Sequence, residues 1–145
     1  MVTTISSSRF INNPLECPVT RTMSIIGGKW KTVILWYLRE RPLRFGELHK
    51  LIPKCSLKIF NSDLKDLEKD GIVKREVFAA VPPKVEYSLT DYGKSLLPVI
   101  MILREWGVKR LIEHPELMEN NEELQYFMQV ITTTENMSFL NKFAI

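Results

Sequence analysis

Two cysteines in 145 residues are too few for a disulfide framework. Cys17 and Cys55 are expected to rest as thiols in a reducing compartment. The N-terminus has no basic stretch leading into an apolar one, so no secretory signal is expected and a cytoplasmic location is the default. The longest uninterrupted apolar run, Leu96 to Leu103, is far too short to span a bilayer, so no membrane partner is expected. His49 and His114 lack acidic or cysteine partners at ligand spacing. Neither a metal nor a cofactor is therefore expected. There is no P-loop, no glycine-rich dinucleotide fingerprint and no triad pattern. No residue takes a catalytic role, and the chain does not read as an enzyme.

What is present is one basic body of ordinary globular composition. Residues 17–112 hold 18 Lys/Arg against 10 Asp/Glu, a net +8, while the remainder holds 2 against 7, a net −5. A basic body suits a polyanionic partner. Residues 1–16 show no period and are read as an N-terminal arm, packed by Phe10 and Ile11. Residues 113–145 are read as an acidic linker and helical tail, with Leu124, Phe127, Met128 and Ile131 at helical spacing and an apolar end from Phe139 to Ile145.

Between these ends the periodicity predicts a series of helices. Pro18 opens the first, which runs to Ile26 with Val19 and Met23 on one stripe and stops at Gly27-Gly28. A second runs from Lys29 to about Arg39, its broad face formed by Trp30, Val33, Ile34, Tyr37 and Leu38. A third short helix is marked by Phe45, Leu48, Leu51 and Ile52. Pro53-Lys54-Cys55 makes a turn, and Ser56 then caps a helix that runs to Gly71. Phe60, Leu64 and Leu67, with Ile59 beside them, form its apolar stripe; Leu57, Lys58, Asn61, Ser62 and Lys65 lie away from it.

Helix, tight turn and second amphipathic helix make a helix-turn-helix. A two-stranded hairpin follows, Val73 to Phe78 and Lys84 to Leu89, as a wing. A long helix from Asp91 to about Ile112, capped by Thr90 and kinked at Pro98, is so apolar from Leu96 to Leu103 that a second subunit is expected to cover it. The fold class is mainly α with a small β-hairpin wing (α+β): a winged helix-turn-helix whose last long helix is expected to meet a second subunit.

Six ordered stretches then resemble a known family. They are Cys17-Pro18-Val19, Gly27-Gly28-Lys29-Trp30, Arg44-Phe45-Gly46-Glu47-Leu48, Leu64 to Gly71, Val81 to Tyr87, and Leu89-Thr90-Asp91-Tyr92-Gly93. Together they resemble the HxlR-type (MarR/DUF24) winged-helix transcriptional regulators over about residues 16–112. The resemblance implies a homodimer, joined through the first and last helices of that region, on a pseudo-palindromic operator in double-stranded DNA. Asp63 departs from the family pattern, where a basic or amide residue is common, and is expected to point aside or pair with Lys58 or Lys65.

The expected DNA-reading face is Leu57, Lys58, Asn61, Ser62 and Lys65, since Asn can pair with adenine and Lys with guanine or phosphate. Arg44 and Lys54 are expected on phosphates, as are Lys29 and Lys31, and Lys74, Arg75 and Lys84 reach out from the wing. Cys17, at a helix start with Arg21 one turn on, is a candidate redox-sensing thiol, and Cys55 its candidate partner. Two alternatives stay open: control by a small-molecule inducer in an apolar pocket, and a winged-helix protein-interaction module without an operator.

Overall fold

The computed structural model describes residues 17–134. The expected arm and the apolar end from Phe139 lie outside them. Internal contacts group the chain into two compact units, Met1–Leu97 and Pro98–Ile145.

In the first unit, α1 (Pro18–Ile26) leads to α2 (Lys31–Leu38), a short strand β1 (Leu43–Arg44), α3 (Phe45–Leu51) and α4 (Leu57–Lys69). Then come β2 (Val73–Phe78), β3 (Lys84–Leu89) and a single turn, α5 (Asp91–Lys94). The three strands form one antiparallel sheet in the order β1-β3-β2. It is a winged helix-turn-helix with a third, two-residue strand. Leu43 is buried and pairs with Tyr87, which anchors the wing root to the helices.

The core is built from stripes at helical spacing. Phe60, Leu64 and Leu67 of α4 are buried with Ile34, Leu35 and Leu38 of α2 and Leu48 of α3. Each such side chain contributes about 1.5–3 kcal/mol by leaving water. Ile59, expected beside the stripe, is 47% exposed instead. It sits about 100° from Phe60 around the helix, on a flank and off the dry face.

The second unit holds α6 (Leu97–Glu113), a 3-10 turn (Pro115–Met118) and α7 (Glu122–Thr134). The expected continuous helix from Asp91 is broken, with the two turn residues Ser95 and Leu96 between α5 and α6. Pro98 has no N–H to donate backward and its ring crowds the carbonyl four residues earlier, so a break replaces the expected kink. Val108 of α6 packs with Met128 and Ile131 of α7, flanked by Leu111 and Met118. Asn121 caps α7 by accepting from the Leu124 N–H at 3.0 Å. Among the described residues no helix is long and apolar enough to cross a membrane.

Candidate nucleic-acid interface

The turn between α3 and α4 is tightly held. The Ile52 N–H donates to the His49 carbonyl (3.0 Å) and the Cys55 N–H to the Ile52 carbonyl (3.1 Å). His49 Nε2, carrying its proton, donates across the turn to the Cys55 carbonyl at 3.0 Å. Its ring lies 5.0 Å from Phe60, which in turn lies 5.1 Å from Phe45. Ser56 then caps α4, its hydroxyl accepting from the Ile59 N–H at 3.3 Å. The entry angle of α4 is therefore fixed by an aromatic cluster beneath and a hydrogen-bonded turn before it. At the other end Gly71, with a φ of +73°, takes the left-handed conformation that ends the helix.

That frame brings Leu57, Lys58, Asn61, Ser62 and Lys65 together as one exposed surface. The Asn61 amide donates to the Leu57 carbonyl of its own helix at 2.9 Å. Reading a base edge requires exchanging that bond for one to DNA. Lys54 is exposed in the preceding turn, and Arg44 is exposed at the start of α3. There the Arg44 N–H donates to the Glu47 carboxylate at 2.8 Å, and this bond holds Glu47 below the usual carboxylate range.

One expected basic contact, Lys31, and the expected partner of Asp63 need correction. Lys31 is not a phosphate ligand in waiting: its side chain is only 12% exposed and its Nζ lies 3.3 Å from Asp66 on α4. Asp63, one turn earlier, faces the same lysine and not Lys58 or Lys65; burial raises its carboxyl pKa, and Lys31 opposes that rise. The Lys29 ammonium lies 4.9 Å from the Trp30 ring.

The wing is less basic than its lysines suggest. Alternation along β2 and β3 puts Lys74, Glu76, Phe78, Lys84 and Glu86 on one face, and Lys74 pairs with Glu76. Lys84 pairs with Glu86 at 2.6 Å and lies 5.1 Å from the Phe78 ring. Arg75 extends from the opposite face, beside Tyr87, and is exposed. Val77, Phe78 and Val81 make the exposed tip apolar. Glu76 and Glu86 are thus participants the sequence reading passed over. Their i, i+2 spacing from the lysines was the available signal.

The two thiols differ. Cys17 is partly exposed at the N-cap of α1, where the backbone N–H groups of Thr20 and Val19 hold its pKa below the ordinary range. Of the two expected contributions, the one from the helix start is present, and Arg21 is not among the groups that lower it. Cys55 is buried, its Sγ 3.6 Å from the Ser56 carbonyl, and burial with the nearby Asp63 charge pushes its pKa up.

Comparison with known proteins converges on this arrangement. The model of the HxlR-like helix-turn-helix family matches residues 25–115. The HTH-type transcriptional regulator YdeP of Bacillus subtilis (strain 168), itself uncharacterized, is 50% identical over 93 residues, 64% of this chain and 73% of that one. The redox regulator HypR in its reduced form superposes with a TM-score of 0.64 at 40% identity, covering 69% of this chain and 98% of that chain. Its oxidized form gives a TM-score of 0.61 at 44% identity, over 63% and 94%.

Proposed function

Since the chain belongs to the HxlR-like helix-turn-helix family, we propose that this transcriptional regulator acts as a homodimer that reads a pseudo-palindromic operator through α4. One observation carries this reading: a helix held from below by Phe60, Leu64 and Leu67 offers Leu57, Lys58, Asn61, Ser62 and Lys65 outward at the end of a fixed turn. Lysines supply phosphate or guanine contacts, Asn61 an adenine contact, and Leu57 apolar contact with a thymine methyl. Arg44, Lys54 and Arg75 flank this surface as positioning contacts; Lys74 and Lys84 contribute less because each already has a carboxylate.

The dimer reading is supported by α6. Val99, Ile102, Leu103 and Trp106 fall at i, i+3, i+4 and i+7, and all are exposed, Ile102 at 62% and Trp106 at 66%. An exposed apolar stripe at that spacing is a surface for another helix. Val19 and Met23 make a smaller exposed pair on α1.

The test is selection of duplexes from a random-sequence library by the full chain, followed by affinity measurements at increasing salt. An enriched site with two inverted halves is expected, with affinity falling steeply as salt rises. Failure to enrich any sequence, or affinity indifferent to salt, would overturn the reading.

A thiol switch is a second reading, favoured by Cys17 alone among the two cysteines. A thiol at a helix N-terminus whose peptide N–H groups stabilise the thiolate is suited to attack oxidants and electrophiles. Cys55 serves as partner only if the turn before α4 opens, since its sulfur is buried. Operator release by diamide that persists in a Cys17→Ser protein would remove Cys17 from the switch.

A further inference from the structure

α4 has a third surface that neither the fold nor the reading face explains. Around the helix, Asp63 and Asp66 lie on one flank of the buried stripe, and Lys58, Asn61 and Lys65, with Glu68 a turn further along, lie toward the other. A helix with its side chains is about 10 Å across, and the Debye length at physiological salt is about 8 Å. Every flank of a helix seated in a groove is therefore within electrostatic reach of phosphates. Two bare carboxylates on α4 would oppose the two lysines opposite them.

The structure meets this from α2. Lys31 stands in the first turn of that helix with its stem buried and its Nζ 3.3 Å from Asp66 Oδ2. Asp63 is half-buried beside it. We propose that Lys31 is a positioning residue of the DNA-reading element: from inside the protein it holds and neutralises the acidic flank of α4, so that only the Lys58–Asn61–Lys65 side acts on DNA. The inference rests on α4 being the reading helix. It gives Asp63, the departure from the family pattern, a defined place.

The experiment measures affinity for a duplex that the wild-type chain has itself selected, by fluorescence anisotropy, with circular dichroism and thermal melting on every variant. Lys31→Met is expected to weaken binding about tenfold, because it leaves two uncompensated carboxylates within screening distance of the phosphates. Removing the acids as well, in Lys31→Met/Asp63→Asn/Asp66→Asn, is expected to restore affinity to within about threefold, since no phosphate contact was lost. A Lys31→Met protein that binds as wild type does overturns the proposal, and so does a folded triple variant that stays as weak as the single one. Should Lys31→Met not fold, Asp63→Asn/Asp66→Asn decides: binding at least as tight as wild type supports the inference, and weaker binding overturns it. If the wild-type chain selects no duplex, it is the DNA-reading function that fails, which separates the two outcomes.

Discussion

α4 and α6 both show side chains to solvent, but of opposite chemistry. On α4 the dry face is Phe60, Leu64 and Leu67, and the exposed surface is mainly polar, with lysine, asparagine and serine beside Leu57 and Ile59. On α6 only Ile100 and Val108 are buried, and the exposed side carries Val99, Ile102, Leu103 and Trp106. A polar exposed face is at equilibrium with water and waits for a ligand that exchanges hydrogen bonds and counterions. An apolar one is costly to leave wet and calls for a dry cover. The same test, what a helix exposes after its core face is subtracted, is what leads us to propose DNA for one and protein for the other.

The sharpest way to break that contrast is to attack the dry face of α4. Phe60→Ala should destabilise the first unit by about 3–5 kcal/mol, read as a fall in the chemical-denaturation midpoint, with DNA binding lost as a consequence. Ile102→Glu or Trp106→Glu should leave each chain folded yet shift sedimentation from dimer to monomer, and lower operator affinity by about a hundredfold, as truncating a strong interface residue does. Dimers that persist in both variants would assign that face to something else. Asn61→Ala should cost about tenfold in operator affinity, with an unchanged melting curve and relaxed preference at one base pair per half-site.

Smaller effects sharpen the picture at the helix ends. Cys17 should be alkylated by iodoacetamide faster than Cys55, with a pH–rate midpoint below that of an ordinary thiol; equal rates would show that the peptide N–H groups do not stabilise the thiolate. Glu47, whose folded pKa is depressed by the Arg44 N–H, stabilises α3 above the ordinary carboxylate pKa, and this is lost as pH falls through the depressed value. Glu47→Ala should therefore lower the melting temperature slightly at neutral pH and not at all in strong acid.

Much of this was legible locally. Ser56 and Gly71 bracket α4 because capping is written in adjacent residues, and the i, i+4, i+7 stripe needs only its own helix. What escaped depends on distance or on very short elements. Leu43–Arg44 is a strand only because Tyr87 and Glu86 lie opposite, and two residues carry no period. Ile59 looked apolar enough for the core, but its angle put it outside. Lys31 looked like one more basic residue; its partners Asp63 and Asp66 lie more than thirty positions away, with nothing local to announce them. The wing lysines were visible, and their neutralising glutamates lie two residues on along the same face of the hairpin, a signal that was local and passed over.

Thr90 sits where several elements meet. Its N–H donates to the Ile72 carbonyl at 3.1 Å, its hydroxyl donates to the Gly71 carbonyl at 2.6 Å, and the same oxygen accepts from the Gly93 N–H at 2.9 Å. Gly93 packs so closely on Ile72 that a Cβ there would lie 2.1 Å from its carbonyl oxygen. The end of α4, the root of the wing and the start of α5 are thereby fastened at one point. Mechanically, α4 and the wing are fastened to each other at this one point. On the proposed reading, a tilt of one would carry the other, and contact with a half-site would be made or lost as a unit.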